Sequence, residues 1–369
     1  MESWELNTNQ PNKTKSYLIM LLALMLFIFS IDLLTVALSH LNNNVAQELF
    51  QATKNPFVSL FIGLLMTALI QSSSTVTASV VAVVAAGNMS LEQAVPMVMG
   101  ANIGTTLTST LVSFSYLMKK KEFKRALSAG IVHDIFNIFT VLLLLPLELY
   151  FRVLTRLALY FAHWFSPNEN FTGPVIYNKV FTRPITEWIS ETINIPFVTV
   201  FIAIFLVFAA IKLLASSVYR AFISDSFQEI SNMIFKKNWL AFIYGLFFTA
   251  AVQSSTVTTS LVVPLVATKR VTLRKAFPFI VGANIGTTIT AALAAIYKSE
   301  AAIALAIVHF LFNTFGAIVI LSFPQLRNVP VRLAIYMGKK SVKSRFLGFA
   351  YILLTFFIIP FLLIYFSSE

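Results

Sequence analysis

Gly100-Ala101-Asn102-Ile103-Gly104-Thr105-Thr106 returns unchanged, 182 residues later, as Gly282-Ala283-Asn284-Ile285-Gly286-Thr287-Thr288. Around this heptapeptide, residues 60–108 align with 242–290 without a gap and with 23 identities in 49 positions. Gln71-Ser72-Ser73-Ser74 pairs with Gln253-Ser254-Ser255-Thr256, Gly63 with Gly245, and Pro96 with Pro278. The match weakens but continues outward, joining 17–37 to the region near 199–219 and His133-x-x-x-Asn137 to His309-x-x-x-Asn313. An apolar composition does not by itself generate matching polar heptapeptides, so the chain carries an internal duplication.

The 369 residues are 57% hydrophobic and 11% charged, with 36 Phe and a mean hydropathy of +0.81. Soluble domains carry about 25% charged residues, and no water-soluble core of this size could hide so much apolar surface. Lipid is therefore the solvent for most of the chain. That excludes a soluble enzyme, a nucleic-acid binder and a disordered scaffold, in spite of a net charge of +12. The absence of Cys removes disulfides, thiolate metal sites and cysteine nucleophiles. The polar start Met1–Ser16 is followed by a long apolar run without a small-residue cleavage site, and reads as a cytoplasmic N-terminal segment instead of a signal peptide.

Apolar stretches of spanning length, about 20 residues, lie near 17–37, 94–117, 127–149, 197–217, 276–297, 301–322 and 346–366. Residues 57–87 and 239–267 differ, because each has a polar cluster in mid-run with an apolar half too short to cross on either side. Each reads as a re-entrant hairpin that bends inside the membrane. A single serine-containing crossing is the alternative, but the run is long for one crossing and the cluster sits at its centre. The predicted fold is an all-α polytopic membrane protein of two inverted-topology repeats, each with a re-entrant helical hairpin and an interrupted transmembrane helix. The predicted order is a cytoplasmic segment 1–16, repeat unit 1 at 17–149, an extracytoplasmic connector at 150–196 and repeat unit 2 at 197–322. A basic cytoplasmic loop at 323–345 and a C-terminal transmembrane helix at 346–369 follow. Phe151–Phe165 could be a short crossing, although Arg152 and Arg156 favour an interfacial helix.

Charge supplies the orientation. Lys119–Arg125, Lys269–Lys275 and Arg327–Arg345 hold 15 of the 27 basic residues, which places all three loops on the cytoplasmic side. Counting crossings from a cytoplasmic N-terminus satisfies this if both hairpins return to the side they entered. Hairpin 57–87 then enters from outside and hairpin 239–267 from inside. Three crossings per unit make the second unit upside down, and inverted repeats with matching helix breaks point to a secondary transporter.

A broken helix in lipid leaves backbone N–H and C=O groups without partners, at several kcal/mol each. Ser and Gln can satisfy them or offer them to a ligand. The second half-helix of each hairpin presents free N–H groups to an anion, and the carbonyls ending the first half suit Na⁺. Two tips meeting at the midplane would form one anion cradle flanked by cation sites. Asn102, Asn284 and the paired threonines would add oxygen ligands, and no Lys or Arg lies inside either hairpin. Packing of helices through serine is the plainer role for such clusters, but it does not account for two clusters at matching positions. Among acidic residues, Asp134 stands out, because Asn137 shares its helical face and its repeat mate is Phe310. Asp32 could equally be a structural partner, Glu148 is expected to be solvated near a membrane face, and His133 and His309 read as hydrogen-bonding groups.

These residues carry a resemblance. The paired Gln-Ser-Ser clusters, the paired Gly-Ala-Asn-Ile-Gly-Thr-Thr segments, and Val132-His133-Asp134-Ile135-Phe136-Asn137 with the run to Glu148 resemble the type II sodium-dependent phosphate cotransporter family. The resemblance covers about 17–322 and implies symport of inorganic phosphate with Na⁺. It implies a phosphate site at Gln71, Ser72, Ser73, Ser74, Asn102, Ser254, Ser255 and Asn284. It implies sodium sites at Gln253, Ser254, Thr287 and Thr290 and at Asp134 with Asn137, the aspartate marking electrogenic members. Thr256 and Ala283 depart from the usual serines. The short, cysteine-free chain resembles a bacterial member of the inner membrane, with no cofactor beyond transported Na⁺ and with membrane lipid, or a second copy in a homodimer, as partners. Another small oxyanion or a dicarboxylate would suit the same mechanism. An intramembrane enzyme on lipid-linked phosphate would need Asp134 and His133, which the duplication does not repeat as a pair.

Overall fold

The computed structural model describes residues 13–41, 51–165, 182–222, 233–296 and 298–367, and every regular element among them is helical. Among the described residues, six helical stretches are long and apolar enough to cross a membrane: Tyr17–Ser39, Lys120–Phe151, Pro196–Ser217, Leu273–Ala295, Glu300–Ser322 and Phe346–Phe366. They coincide with six of the seven expected spans. The seventh, 94–117, is divided at Thr105-Thr106 into α4 (Leu91–Gly104) and α5 (Leu107–Ser113), with a short 3-10 turn after it, and Leu273–Ala295 is interrupted at the matching Thr287-Thr288. Of the N-terminal segment, residues 1–12 lie outside the described residues, as do 166–181 of the connector.

The chain before α4 folds as a helix, a break and a second helix. Asn55 accepts the amides of Phe57 and Val58 and starts α2 (Pro56–Ile70). Gln71 then turns left-handed at φ 57°, ending the α-helical ladder, and Ser72 caps α3 (Ser73–Ala85) by accepting the Thr75 amide. The same construction recurs in α10 (Asn238–Val252), Gln253 at φ 56°, and α11 (Ser255–Ala267), where Ser254 accepts the Val257 amide. A 15-residue helix is about 22 Å long against a hydrocarbon core of about 30 Å, so neither arm crosses alone.

Close backbone contact binds each first arm to the helix that carries the heptapeptide. A Cβ on Gly100 would overlap the Leu60 carbonyl oxygen, and one on Gly282 would overlap that of Phe242 in α10, against α12 (Leu273–Gly286). Small residues four apart permit this approach where lipid supplies no hydrophobic drive between helices. The second arms reach into the opposite half. α3 packs on α13 (Ile289–Ala295) and α14 (Glu300–Ser322), while α11 packs on α5 and on α6 (Lys120–Phe151). The equivalent first helices, α1 (Lys13–Ser39) and α9 (Pro196–Phe222), pack against each other. The two halves are thereby interlocked.

Two expectations change, and Asp32, left open between two roles by the sequence, has structural partners. Glu148 is buried, not solvated: its carboxylate accepts the Leu154 amide at 2.7 Å and the Thr155 hydroxyl, capping α7 (Val153–Phe165) after Arg152 turns left-handed. Helix α7 spans only about 20 Å and buries Leu154, Ala158 and Ala162 along one stripe against α14. The segment 323–345, expected as a loop, is mostly helix α15 (Pro324–Lys343) packed on α6; its Pro324 occupies the first turn, where a missing N–H costs nothing. Asp32 takes the structural role. Its Oδ1 meets Lys298 Nζ at 3.1 Å and Arg183, which opens α8 (Arg183–Ile193), at 3.6 Å, and its Oδ2 accepts the hydroxyls of Thr182 and Thr186. Burial pulls the Lys298 ammonium below the usual lysine range, with Asp32 opposing it.

Gly100→Ala and Gly282→Ala are each expected to lower thermal stability in detergent, because overpacking against backbone costs about 1–3 kcal/mol. Gly348→Ala, where the nearest atoms lie at 3.4 Å, should leave the melting temperature unchanged. Equal melting temperatures for all three would contradict the close packing.

Candidate functional site

The two breaks come together. The Ser74 hydroxyl, in the first turn of α3, donates to the Gln253 carbonyl oxygen at 2.9 Å across 179 residues of chain. The Thr290 hydroxyl from α13 lies 3.5 Å from the same Ser74 oxygen. The left-handed turn strips the Gln253 carbonyl of its place in the helix ladder, so a side chain from the other half takes it up. The Gln253 side-chain oxygen is buried without a partner. A cluster of Ser74, Gln253 and Thr290 thus holds several oxygens with unused lone pairs, a donor set suited to a hard monovalent cation.

Beside this cluster a cleft of about 690 Å³ is lined by both tips, with Gln71 and Ser72 from one break and Ser254 and Thr256 from the other. Each tip presents the N-terminus of its second arm, where amides and dipole favour an anion. Thr108, the repeat mate of Thr290, and Lys212 from α9 also line it. Neither stands out in the sequence read alone. The 182-residue offset is the signal that could find Thr108, whereas Lys212 lies near the end of an apolar span and reads as an interfacial anchor. Ser72 and Ser254 face the cleft while capping their helices. Ser73 and Ser255 are buried in the first turns. Thr287 donates back to the Ala283 carbonyl at 3.0 Å.

Asn102 and Asn284 do not line the cleft. They form the centre of a buried network that crosses between the halves through reciprocal His–Asn contacts. His133 Nε2 meets Asn284 Oδ1 at 3.0 Å, and His309 Nε2 meets Asn102 Oδ1 at 3.3 Å. The Asn284 amide donates to Asn137 and Asn313, both at 2.7 Å. Asn313 donates to Asn102 Oδ1 at 3.3 Å, and Asn137 to the Asn102 carbonyl at 2.7 Å. Because each imidazole Nε2 faces an amide oxygen, which only accepts, each histidine donates from Nε2, which sets its tautomer. Asn137 and Asp134, which the sequence places together at a sodium site, share no hydrogen-bond partner among the described residues. Asp134, fully buried in α6, instead accepts the Tyr351 hydroxyl at 2.9 Å and lies 3.5 Å from the Thr110 hydroxyl, while its Oδ1 has no partner.

Comparison with known proteins follows the same lines. Residues 26–160 and 195–358 match the Na+/Pi-cotransporter family. The chain is 29% identical over 427 residues to "Sodium-dependent phosphate transport protein 2A" of Ovis aries, covering 93% of this chain and 66% of that protein. It is 28% identical over 446 residues to "Sodium-dependent phosphate transport protein 2B" of Homo sapiens, covering 93% of this chain and 64% of that protein. The chain therefore spans just under two thirds of the length of these relatives. No solved structure matches it significantly. The chain belongs to the Na+/Pi-cotransporter family, and it is a multi-pass membrane protein.

Asn284→Ala would orphan the His133 donor and the Asn137 and Asn313 acceptors, at about 1–3 kcal/mol each. A large drop in melting temperature is expected. A variant that melts normally and changes only the concentration dependence of ligand binding would instead make Asn284 a ligand.

Proposed function

We propose that this member of the Na+/Pi-cotransporter family is a secondary active transporter that imports inorganic phosphate together with Na⁺, by alternating access and with net movement of positive charge. The observation that carries this reading is the Ser74–Gln253 contact, which joins two equivalent helix breaks into one polar centre next to a cleft. The two repeats lie in opposite orientations, so that α2–α3 and α10–α11 are re-entrant hairpins entering from opposite faces. The basic segments of the chain lie in the cytoplasm, as does its N-terminus, and the membrane is a bacterial inner membrane.

Phosphate occupies the cleft against the two second-arm N-termini, held by Gln71, Ser72, Ser73, Ser74, Ser254 and Ser255, with Lys212 drawing the anion in. Backbone amides at helix N-termini bind tetrahedral oxyanions, Lys212 supplies one fixed positive charge at the cleft wall, and ions that travel with the anion offset the rest of its charge. Sodium takes the Gln253, Ser254 and Thr290 oxygens beside Ser74, and a second sodium takes Asp134. Asn102, Asn137 and Asn284 hold the two repeats in register, and Thr287 shapes the helix that carries Thr290. Coupling follows from the shared atoms: Ser74 belongs to the tip that binds the anion and touches the carbonyl that binds the cation, so each ion stabilises the arrangement the other needs.

The test is uptake of ³²P-phosphate into proteoliposomes. An inward Na⁺ gradient is expected to drive accumulation that K⁺ does not support, with an inward current in wild type and none per phosphate in Asp134→Gly. Uptake indifferent to Na⁺ would overturn the proposal.

A further inference from the structure

The C-terminal segment has no counterpart in the first half, yet it reaches a fully buried carboxylate. Tyr351 sits near the end of α16 (Arg345–Leu353), three residues before a π-helical turn at Leu354–Ile358, and its ring meets Phe356 edge-on. Such turns widen a helix locally and often occur at functional positions. Helix α17 (Ile359–Ser367) then packs on α2. In the other half, Leu246 and Ala250 of α10 border an apolar cavity of about 560 Å³ that Phe310, the repeat mate of Asp134, also lines. The C-terminal segment is thus added on the side of the carboxylate.

The tyrosine hydroxyl donates to Asp134 Oδ2, while Oδ1 accepts nothing. None of the ion pairs among the described residues involves Asp134. A buried carboxylate is costly unless its oxygens are partnered or it holds a cation. With one oxygen tied to a phenol, the carboxyl group cannot rotate freely about its terminal bond, and the other oxygen is left aimed at whatever cation enters.

We propose that Tyr351 is a positioning residue for transport, holding Asp134 so that its free oxygen meets sodium, and that the C-terminal helix thereby belongs to the cation site. This rests on the reading that Asp134 takes a sodium. The tyrosine reaches the carboxylate through this hydrogen bond, so removing the phenol oxygen while keeping the ring should weaken sodium activation and spare phosphate binding.

The experiment uses the full chain in proteoliposomes, varying Na⁺ at fixed phosphate and phosphate at saturating Na⁺. Tyr351→Phe is expected to raise half-activating Na⁺ roughly tenfold, the scale of one hydrogen bond to a charged group. The phosphate KM at saturating Na⁺ should stay as in wild type. Tyr351→His, which keeps a donor, should fall between the two. In an Asp134→Gly background, Tyr351→Phe should change Na⁺ activation no further. An equal effect in both backgrounds, a rise in phosphate KM instead, or a lower melting temperature with Na⁺ activation unchanged would each overturn the proposal. If Asp134→Gly itself leaves Na⁺ activation and charge per phosphate as in wild type, the sodium reading of Asp134 fails, and this proposal with it.

Discussion

A helix that stops inside an apolar medium must find partners for the backbone groups it exposes, and the molecule is arranged around that requirement at Gln71 and Gln253. Each glutamine turns left-handed, each following serine caps the next helix, and one exposed carbonyl is taken up by a hydroxyl from the other half. In water either break would be satisfied locally and cheaply. In lipid, the satisfaction has to come from protein or from a ligand. Two breaks placed together therefore make a stable fold and an unfinished polar site at the same time.

The surrounding packing serves this convergence. Glycines at 100 and 282 bring each first arm against its companion helix, and the second arms cross into the opposite half. The His–Asn network then ties α4, α6, α12 and α14 into one crossed set built from amides and imidazoles. Amides can form such a centre because each offers donors and acceptors in fixed directions. A network of this kind is costly to leave partly satisfied, which favours a few discrete arrangements of the two repeats over continuous deformation.

Much of this is legible in the chain. The duplicated heptapeptide locates the repeat, and the Gln-Ser-Ser clusters locate both breaks to the residue, because a polar run in the middle of an apolar one is hard to keep in lipid without a bend. Three-dimensional partnership is less legible. Asn102 and Asn284 read as ligand residues because an amide in a membrane segment needs partners, and local sequence cannot say that each also meets a histidine more than a hundred residues away. Glu148 reads as solvated because its burial depends on Arg152 reversing the chain to bring the Leu154 amide over it. Residues 324–343 read as a loop because their charges hide a helix with one face on α6. Asp134 is found from its charge, while Tyr351 is not, since one tyrosine in an aromatic-rich span carries no local mark.

The convergence of the two breaks can be measured directly, since the chain has no Cys of its own. In a Ser72→Cys and Ser254→Cys double variant, a short bifunctional thiol reagent should join the two tips in the membrane. Uptake should stop on cross-linking and return when a cleavable linker is reduced, whereas the single variants treated alike should remain uncross-linked within the chain. Failure of the pair to join, under conditions where both cysteines react with a monofunctional reagent, would contradict the account.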